Sequence, residues 1–407
     1  MGRPLSHIRV LDLTRILAGP WAAQNLADLG AEVIKIERPK TGDDTRSWGP
    51  PWLKGEDGAD TREAAYFLSV NRGKKSVTVD LSQPAGQRLV RELAARSDVL
   101  IENYKVGDLA RYGLAYDDVR AANPRIIYCS VTGFGQDGPY AQRPGYDFIF
   151  QGMCGLMSIT GERDELPGGG PQKVGIAVTD VLTGMYASLA ITAAIAHRQL
   201  TGIGQYIDLA LLDTLVAFNA NSILNYWCSG EVPRRFGNAH ANIVPYEVFP
   251  SADGHIILAV GNDTQFASFC RVAGRPDLAD DPRFKTNPER VKHRPVLVPI
   301  VQAIVKQRKS RDWIESLEAA SVPCGPINDM REVFENEQVR HRGLRVEIPH
   351  PSGVSCPTVA SPMRFSATPV DYAVPPPLLG EHTRDVLREA LGLSGAEIDA
   401  LADGRVI

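Results

Sequence analysis

The chain has 407 residues, of which 43% are apolar, and its 44 basic and 48 acidic side chains give a formal net charge of −4. This length exceeds what one ordinary hydrophobic core accommodates, so the sequence predicts two domains or one large domain with an insertion. A charge balance this close to neutral argues against the broad basic surface of a nucleic-acid-binding protein, and we expect no nucleic-acid partner.

The cysteines and the most apolar segment argue against two further classes of protein. The six cysteines form no CxxC pair and no histidine cluster adjoins them, so we expect no metal site and reduced thiols. The stretch Val181–Ala196 is shorter than a bilayer span and lies between Asp180 and His197, which favours a buried core helix. Because the N-terminus shows no signal-peptide pattern, we expect a cytoplasmic protein with no membrane partner.

Strand and helix patterns alternate through the first part of the chain. Val10–Leu13 and Glu32–Ile36 are predicted strands, and the helix between them begins near Pro20 and ends at Gly30. The alternation continues with predicted strands at Ser76–Leu81, Val99–Glu102, Arg125–Val131 and Gln205–Leu211, and predicted helices at Gln83–Ala95, Asp117–Ala122 and Asp180–Gln199. Such alternation predicts an α/β fold built on a doubly wound, Rossmann-like parallel sheet.

The pattern changes in the second half, where helices dominate. The predicted elements there are a strand at His255–Val260 and helices at Thr264–Val272, Val291–Lys306 and Ser310–Ala320. We therefore predict a large domain over residues 1–225, a smaller α/β domain over 226–335, and a C-terminal segment over 336–407. The last segment contains a predicted strand, Leu344–Ile348, and predicted helices at Thr383–Leu391 and Ala396–Ala402, the second with a Ser394–Glu397 capping box.

Long loops rich in glycine, proline and aspartate interrupt the first domain at Pro39–Arg62 and Gly133–Tyr146. Loops of this length in a compact domain are often functional. The glycine-dense part, Gly133–Tyr140, follows neither the GxGxxG nor the GxxxxGK[ST] spacing, so a plain turn is favoured over a phosphate-binding loop.

Asp180 follows such a loop and precedes the apolar helix. A carboxylate at this place is stabilised by the free N–H groups and the dipole of a helix N-terminus, so a simple N-cap is the favoured interpretation from the residues alone. A nucleophilic carboxylate is the alternative, and it requires a cleft that presents a substrate carbonyl.

Several strings in a fixed order resemble the family III CoA-transferases, also called the CaiB/BaiF group. They are Val10–Pro20, Leu29–Pro39, Asn71–Ser76, Glu102–Tyr104, Thr201–Gln205, Val322–Pro326 and Leu379–Thr383. The resemblance spans nearly the whole chain. It implies a large domain formed by the N-terminal part and the returning C-terminal segment, a smaller domain between them, and two subunits interlocked as a homodimer.

The resemblance also implies the chemistry. The family's catalytic aspartate falls on Asp180, which reverses the preference for a cap. Its carboxylate is expected to attack an acyl-CoA thioester and to form first a mixed anhydride and then an aspartyl-CoA thioester. CoA and acyl-CoA are expected as substrates, with no permanently bound cofactor. The CoA-contacting positions of the family fall on Ile16, Ala18, Arg38, Asn103, Tyr104 and Arg111.

The sequence also contains candidates for the oxyanion donors and for the residues that bind the acceptor acid. The nearest candidate for the family's glycine loop is Gly261-Asn262. The strings around Arg46 and Gly145-Tyr146-Asp147 resemble the branch that moves CoA from succinyl-CoA to dicarboxylates such as glutarate. Either Arg46 or Arg143 is then expected to hold the distal carboxylate of the diacid, with ordinary surface arginines as the alternative.

Two other activities fit part of the pattern. The racemases of the same fold pair the aspartate with a histidine, and here Tyr146 stands in that place. A tyrosine with an ordinary pKa of about 10 is a poor substitute in proton transfer. A non-catalytic acyl-CoA binder is the second alternative, and it is disfavoured because Asp180 is retained.

Overall fold

The computed structural model describes residues 2–407, which form two compact units. The first unit comprises Met1–Leu156, Val174–Ile223 and Gln338–Ile407, and the second comprises Met157–Lys173 and Leu224–Glu337. Each unit has a hydrophobic core of its own.

A six-stranded parallel sheet forms the centre of the first unit. Its strands in chain order are β1 Arg9–Asp12, β2 Glu32–Glu37, β3 Lys74–Thr78, β4 Val99–Glu102, β5 Ile127–Thr132 and β6 Tyr206–Ala210. In space they lie in the order β3-β2-β1-β4-β5-β6. The winding therefore reverses between β1 and β4, and the crevice at the carboxyl ends of these two strands is where such sheets bind ligands. This confirms the predicted α/β fold with a parallel sheet.

Successive strand residues point to opposite faces of the sheet, and both faces are covered. Val10, Val33 and Val99 pack in one core cluster, whereas Leu11, Ile34 and Leu100 pack in the other. The α-helices of this unit are Ala18–Asp28, Ala65–Ser69, Pro84–Ala95, Tyr116–Ala122, Asp147–Met153, Val178–Thr201, Leu211–Phe218, Thr383–Leu391 and Gly395–Asp403. Two further helices, Ala220–Ser229 and Glu337–His341, lie across boundaries between the two units. Short 3₁₀ helices are formed by Asp44–Ser47 and Ala110–Tyr112. The predicted Ser394–Glu397 capping box is confirmed at the last helix.

The longest helix, Val178–Thr201, packs against Ala18–Asp28 and ends at Gly202, which adopts the left-handed conformation at φ 77°. Gly184 allows the close approach, because a Cβ there would lie 2.6 Å from the carbonyl oxygen of Ala18. By length and composition alone this helix would pass as a membrane span, but half of its apolar window is buried inside the protein.

The loop predicted over Pro39–Arg62 contains regular structure that the sequence analysis missed. Besides the 3₁₀ helix, it forms an antiparallel hairpin of Trp52–Lys54 and Asp60–Ala64. Its turn is closed by the Asp57 side chain, which accepts from the N–H of Ala59, and by Gly58 at φ 77°. A second hairpin, Arg345–Pro349 with Ser355–Val359, includes the strand predicted at 344–348.

The second unit is built on a three-stranded antiparallel sheet of Tyr246–Pro250, His255–Ala259 and Cys324–Gly325. The α-helices assigned to it are Asp263–Val272, Asp277–Asp280, Asn287–Lys292, Arg294–Val305, Ser310–Ala319 and Met330–Glu335, with Leu156–Ile159 at its edge. The helix predicted at 291–306 is two helices here, separated at His293. Residues 157–173 pack with this unit, for example through Arg235, which donates to the carbonyl oxygens of Ser158 and Glu162. The predicted domain boundaries placed residues 157–173 in the large domain instead. Whether the predicted boundaries separate true domains stays a prediction.

Candidate active site

An open cleft with a volume of about 200 Å³ lies at the carboxyl ends of β1, β4 and β5, and we call it the Asp180 cleft. It is lined by Arg15, Ile16 and Ala18 after β1, Asn103, Tyr104, Lys105 and Val106 after β4, Val131, Thr132 and Gly133 at the end of β5, the segment 141–146, and Asp180 and Leu211. The fold thus brings together Asp180, four of the predicted CoA-contacting residues, Arg143 and Tyr146.

Asp180 lies in the first turn of helix Val178–Thr201, but it is not the cap of that helix. The helix begins at Val178, Ala177 is the N-cap, and no side chain of the cap bonds the helix. The favoured interpretation from the residues alone, an N-cap at Asp180, is therefore wrong. Burial and the charge of Asp147 raise the pKa of Asp180 to about 7, while a hydrogen bond from the backbone N–H of Ala18 opposes the rise. A partly buried carboxylate with this pKa in a cleft is suited to chemistry.

Asp147 anchors the start of the Asp180 helix, although it lies 32 residues before Thr179, the helix residue that it contacts. Its Oδ1 accepts from the backbone N–H of Thr179 at 2.9 Å, and its Oδ2 accepts from Gln151 Nε2 at 2.8 Å. The same carboxylate thus satisfies an N–H group that the helix leaves free and raises the pKa of its neighbour. Both side-chain oxygens of Asp147 are engaged, so its observed contacts are those of a positioning residue.

The segment after β1 is fixed by Asn103. The side-chain oxygen of Asn103 accepts from the N–H of Arg15 at 3.0 Å, and its Nδ2 donates to the carbonyl oxygen of Arg15 at 2.8 Å. Both polar atoms of the Asn103 amide are therefore hydrogen-bonded to the loop that carries Ile16 and Ala18. The direct contact of Asn103 with CoA stays a prediction.

A second cleft, which we call the Arg38 cleft, adjoins the first, and Arg15 and Tyr104 line both. Arg38 is more than half exposed and donates to Asp44 at 2.8 Å, while Arg15 bonds the other oxygen of Asp44 at 2.9 Å. The cleft also includes Ser82 and Tyr112. Arginines and aromatic rings together suit a phosphate and a base.

Arg111 lines neither of these clefts. It is exposed, lies 3.5 Å from Asp108 and stacks over Tyr112, a lining residue of the Arg38 cleft, with 4.9 Å from its guanidinium carbon to the ring centre. Its predicted contact with CoA stays a prediction.

The two arginines proposed for a distal carboxylate have very different surroundings. Arg46 is 10% exposed, bonds both oxygens of Glu37 at 2.7 and 2.8 Å, and lies 3.6 Å over the ring of Phe67. Arg143 lines the Asp180 cleft, is exposed, and lies 3.8 Å over Tyr140. Within residues 2–407, no carboxylate is within ion-pair distance of Arg143. The contacts favour Arg143 for binding an anion.

Gly261 and Asn262 lie in the second unit, at the start of helix Asp263–Val272. Asn262 caps that helix by accepting from the N–H of Gln265 at 2.9 Å, and the N–H of Gly261 donates to Gln265 Oε1 at 2.7 Å. These groups satisfy each other in the structure, and their predicted part as oxyanion donors stays a prediction.

Sequence reasoning missed Glu102, the last residue of β4. Its buried carboxylate accepts from the Ser130 hydroxyl and, at 2.8 Å, from the N–H of Tyr104, and burial raises its pKa to about 7. A glutamate that ends an otherwise apolar strand, VLIE, was the available indication. Across residues 2–407 there is no group of three or more metal-ligating side chains, and all six cysteines are free.

Comparisons with known proteins agree on one family. The model of CoA-transferase family III matches residues 5–383. The sequence is 51% identical over 386 residues, 95% of each chain, to the succinate–glutarate CoA-transferase of Agrobacterium fabrum. It is 45% identical over 405 residues to the succinyl-CoA:glutarate CoA-transferase of Mus musculus, which covers 100% of this chain and 90% of that protein. A crystal structure of a CaiB/BaiF family protein from Brucella suis aligns with a TM-score of 0.83 and 46% identity, covering 96% of this chain and 100% of that one.

Proposed function

This chain belongs to CoA-transferase family III, and we propose from this premise that it moves CoA from succinyl-CoA to a dicarboxylate such as glutarate. The observation that carries the proposal is Asp180, a carboxylate with a raised pKa in a cleft at the ligand-binding edge of the sheet. The same cleft contains Arg143, which has no carboxylate partner among residues 2–407. The substrates are those in the names of relatives that are 51% and 45% identical over nearly the whole chain.

In the proposed mechanism a carboxylate oxygen of Asp180 attacks the thioester carbonyl, the C–S bond breaks, and CoA leaves as a thiolate. The thiolate then attacks the Asp180 carbonyl of the mixed anhydride and releases succinate, which leaves an aspartyl-CoA thioester. The acceptor carboxylate attacks this thioester and expels the thiolate, which takes the acceptor acyl group and frees Asp180. No net proton or electron is exchanged, and the covalent route divides one difficult transfer into smaller steps.

In this proposal CoA binds across the two adjoining clefts. The Arg38 cleft takes the nucleotide end, where Arg38 and Arg15 bind phosphate in place of Asp44. The Asp180 cleft takes the thioester end. Tyr104 and Arg15 line both clefts and would contact the connecting part of the ligand.

We also propose that the chain forms an interlocked homodimer in the cytoplasm. Helix Val178–Thr201 exposes Met185, Tyr186, Leu189 and Leu200, the last at 88%. An apolar helix face of this kind is typical of a protein interface. Light scattering is expected to give twice the mass of the 44.3 kDa chain, and a monomer would contradict the dimer.

A donor and acceptor screen tests the function. The purified protein is incubated with succinyl-CoA and either glutarate, a four- or six-carbon diacid, or a monoacid, and the CoA esters are identified by mass spectrometry. We expect glutaryl-CoA with release of succinate, and hydroxylamine added during turnover is expected to modify Asp180. Proton exchange at the α-carbon in D₂O without CoA transfer would indicate a racemase instead, and binding without either reaction would indicate an acyl-CoA binder.

The pH dependence of transfer gives a second prediction. Because the carboxylate is the attacking form, kcat/KM for succinyl-CoA is expected to rise about tenfold per pH unit below the pKa of Asp180, near 7, and to level off above it. Asp147→Asn removes a charge that raises this pKa and is expected to move the midpoint to lower pH. Asp213→Asn, an exposed aspartate on helix Leu211–Phe218, is the matched control and should leave the midpoint in place. A midpoint that stays unchanged in the Asp147 variant would contradict the assignment.

A further inference from the structure

The turn after β1 holds a residue in an unfavourable backbone conformation. Ile16 has φ 74°, in the left-handed region that favours glycine and penalises a β-branched side chain. Such a residue persists only where its surroundings fix it, and these residues are concentrated at functional sites. Ile16 lines the Asp180 cleft.

Asp43 is the group that holds this turn. Its Oδ1 accepts from the backbone N–H of Ile16 at 3.2 Å and from the N–H and hydroxyl of Thr45 at 3.0 and 2.8 Å. The carboxylate is almost fully buried, at 1% exposure. These three donors fix the orientation of the Asp43 carboxylate, so its Oδ1 is held where it accepts the hydrogen bond from the N–H of Ile16.

Lys35 fixes both the carboxylate and the turn. Its buried ammonium donates to Asp43 Oδ2 at 2.9 Å and to the carbonyl oxygen of Thr14 at 2.8 Å. Burial raises the pKa of Asp43, but Lys35 and the hydrogen bonds outweigh it and bring that pKa to about 2. Burying two charges is costly and apolar residues of similar volume are often as stabilising, so this pair needs a reason other than stability.

The turn sets the start of helix Ala18–Asp28. Its N-cap, Leu17, makes no side-chain capping bond. The next residue, Ala18, lines the Asp180 cleft together with Asp180 and packs at Gly184 of the Asp180 helix, so its N–H lies on the side of the Asp180 carboxylate. A change of φ at Ile16 would rotate the chain that follows it and move this N–H away from Asp180. We propose that Asp43, held by Lys35, is a positioning residue that keeps Ile16 in the left-handed conformation and so places the Ala18 amide against Asp180. This inference rests on the proposed function of Asp180.

A matched pair of variants isolates the acceptor from the charge. In a Lys35→Met chain, Asp43→Asn keeps a side-chain oxygen for Ile16. Asp43→Leu has the same branching and number of heavy atoms but is bulkier and offers no acceptor. Both variants lack the charges of Asp43 and Lys35, and both lack the hydrogen bond from Lys35 to the carbonyl oxygen of Thr14. We expect kcat for CoA transfer to be at least about tenfold lower in the Leu variant than in the Asn variant, as misplaced groups commonly cause. KM for succinyl-CoA is expected to differ by no more than about threefold.

Ile16→Gly is the rescue. Glycine adopts positive φ without a steric penalty, so the ratio of kcat between the Asn and Leu variants should fall to about twofold or less in the Ile16→Gly chain. Equal kcat in the Asn and Leu variants, or a ratio unchanged by Ile16→Gly, overturns the proposal. If the native chain transfers no CoA, the proposed function has failed instead.

Stability is controlled separately. Asp28→Asn removes another buried carboxylate, which bonds Arg72 at 2.7 and 2.9 Å at the far end of the same helix, and it should lower the thermal midpoint while keeping kcat near the native value. If the Leu variant does not fold, Asp43→Ala in the Lys35→Met chain repeats the comparison, since its smaller side chain leaves room for water at Thr45. Native kcat in a folded Ala variant overturns the proposal as well.

Discussion

Asp180→Asn is expected to reduce CoA transfer by on the order of 10⁴-fold or more, the loss typical of removing a covalent nucleophile. An amide oxygen is a far weaker nucleophile than a carboxylate, so neither the mixed anhydride nor the aspartyl-CoA thioester would form. Steady-state transfer from succinyl-CoA to glutarate measures the loss, and mass spectrometry of the 178–201 region, with hydroxylamine present, measures the adduct. A variant that turns over near the native rate would exclude Asp180 as the nucleophile.

Asp180→Asn is expected to lower activity but to raise the free energy of unfolding, so the loss of activity can be distinguished from misfolding. The pKa of Asp180 is raised from its ordinary value of 3.8 to about 7. The folded state therefore binds more protons than the unfolded state between these values, and the native chain loses stability as the pH rises from about 4 through 7. The Asn variant carries no charge and is expected to be at least ~1 kcal/mol more stable than the native chain at pH 8, with little difference at pH 4.

Glu102→Gln is the matched control, since burial raises the pKa of Glu102 to about 7 too. We expect it to show the same gain in stability at pH 8 but to retain most of the transfer activity, because glutamine still accepts from the N–H of Tyr104. Denaturant unfolding at pH 4 and pH 8 measures both variants. An Asn variant at Asp180 that is less stable than the native chain at both values would contradict the raised pKa.

The central strands of the sheet were predictable because they are buried on both faces. Runs such as VLIE and IYCSVT are short, largely apolar and bounded by turn residues, which leaves few other assignments. The hairpin Trp52–Lys54 with Asp60–Ala64 was not predictable in this way. Its second strand reads DTREA and is mostly exposed, so it lacks the apolar alternation that identifies a strand.

The site was predictable in its residue types but not in its contacts. Local sequence favours a cap at Asp180 because it shows only neighbouring residues, whereas the acceptor for the N–H of Thr179 at this helix start is Asp147, 32 residues earlier. Lys35 lies within a buried strand that also carries Glu32 and Glu37, and the sequence gives no local indication that its partner is Asp43. Contacts between residues distant in sequence depend on the fold, and pattern rules describe only neighbours along the chain.

Arg143→Ala is expected to raise KM for glutarate by about 10–100-fold, the loss expected from a charge-assisted hydrogen bond. KM for a monoacid acceptor of similar length should change little, because the monoacid has no distal carboxylate. Arg143 lies 3.8 Å over Tyr140 in the Asp180 cleft, and no acidic side chain competes for it within residues 2–407. Acceptor kinetics with glutarate and a five-carbon monoacid measure the ratio.

Arg46→Ala is the informative comparison, because Arg46 was the other predicted partner of the diacid. Its guanidinium bonds both oxygens of the buried Glu37 and the carbonyl oxygen of Pro377, so its loss should lower stability by about 3–5 kcal/mol and affect both acceptors alike. Arg143→Lys keeps the charge without the planar fork and should fall between the native chain and the Ala variant. If Arg46→Ala, rather than Arg143→Ala, discriminates between diacid and monoacid, Glu37 must release Arg46 when the acceptor binds, and the assignment to Arg143 is wrong.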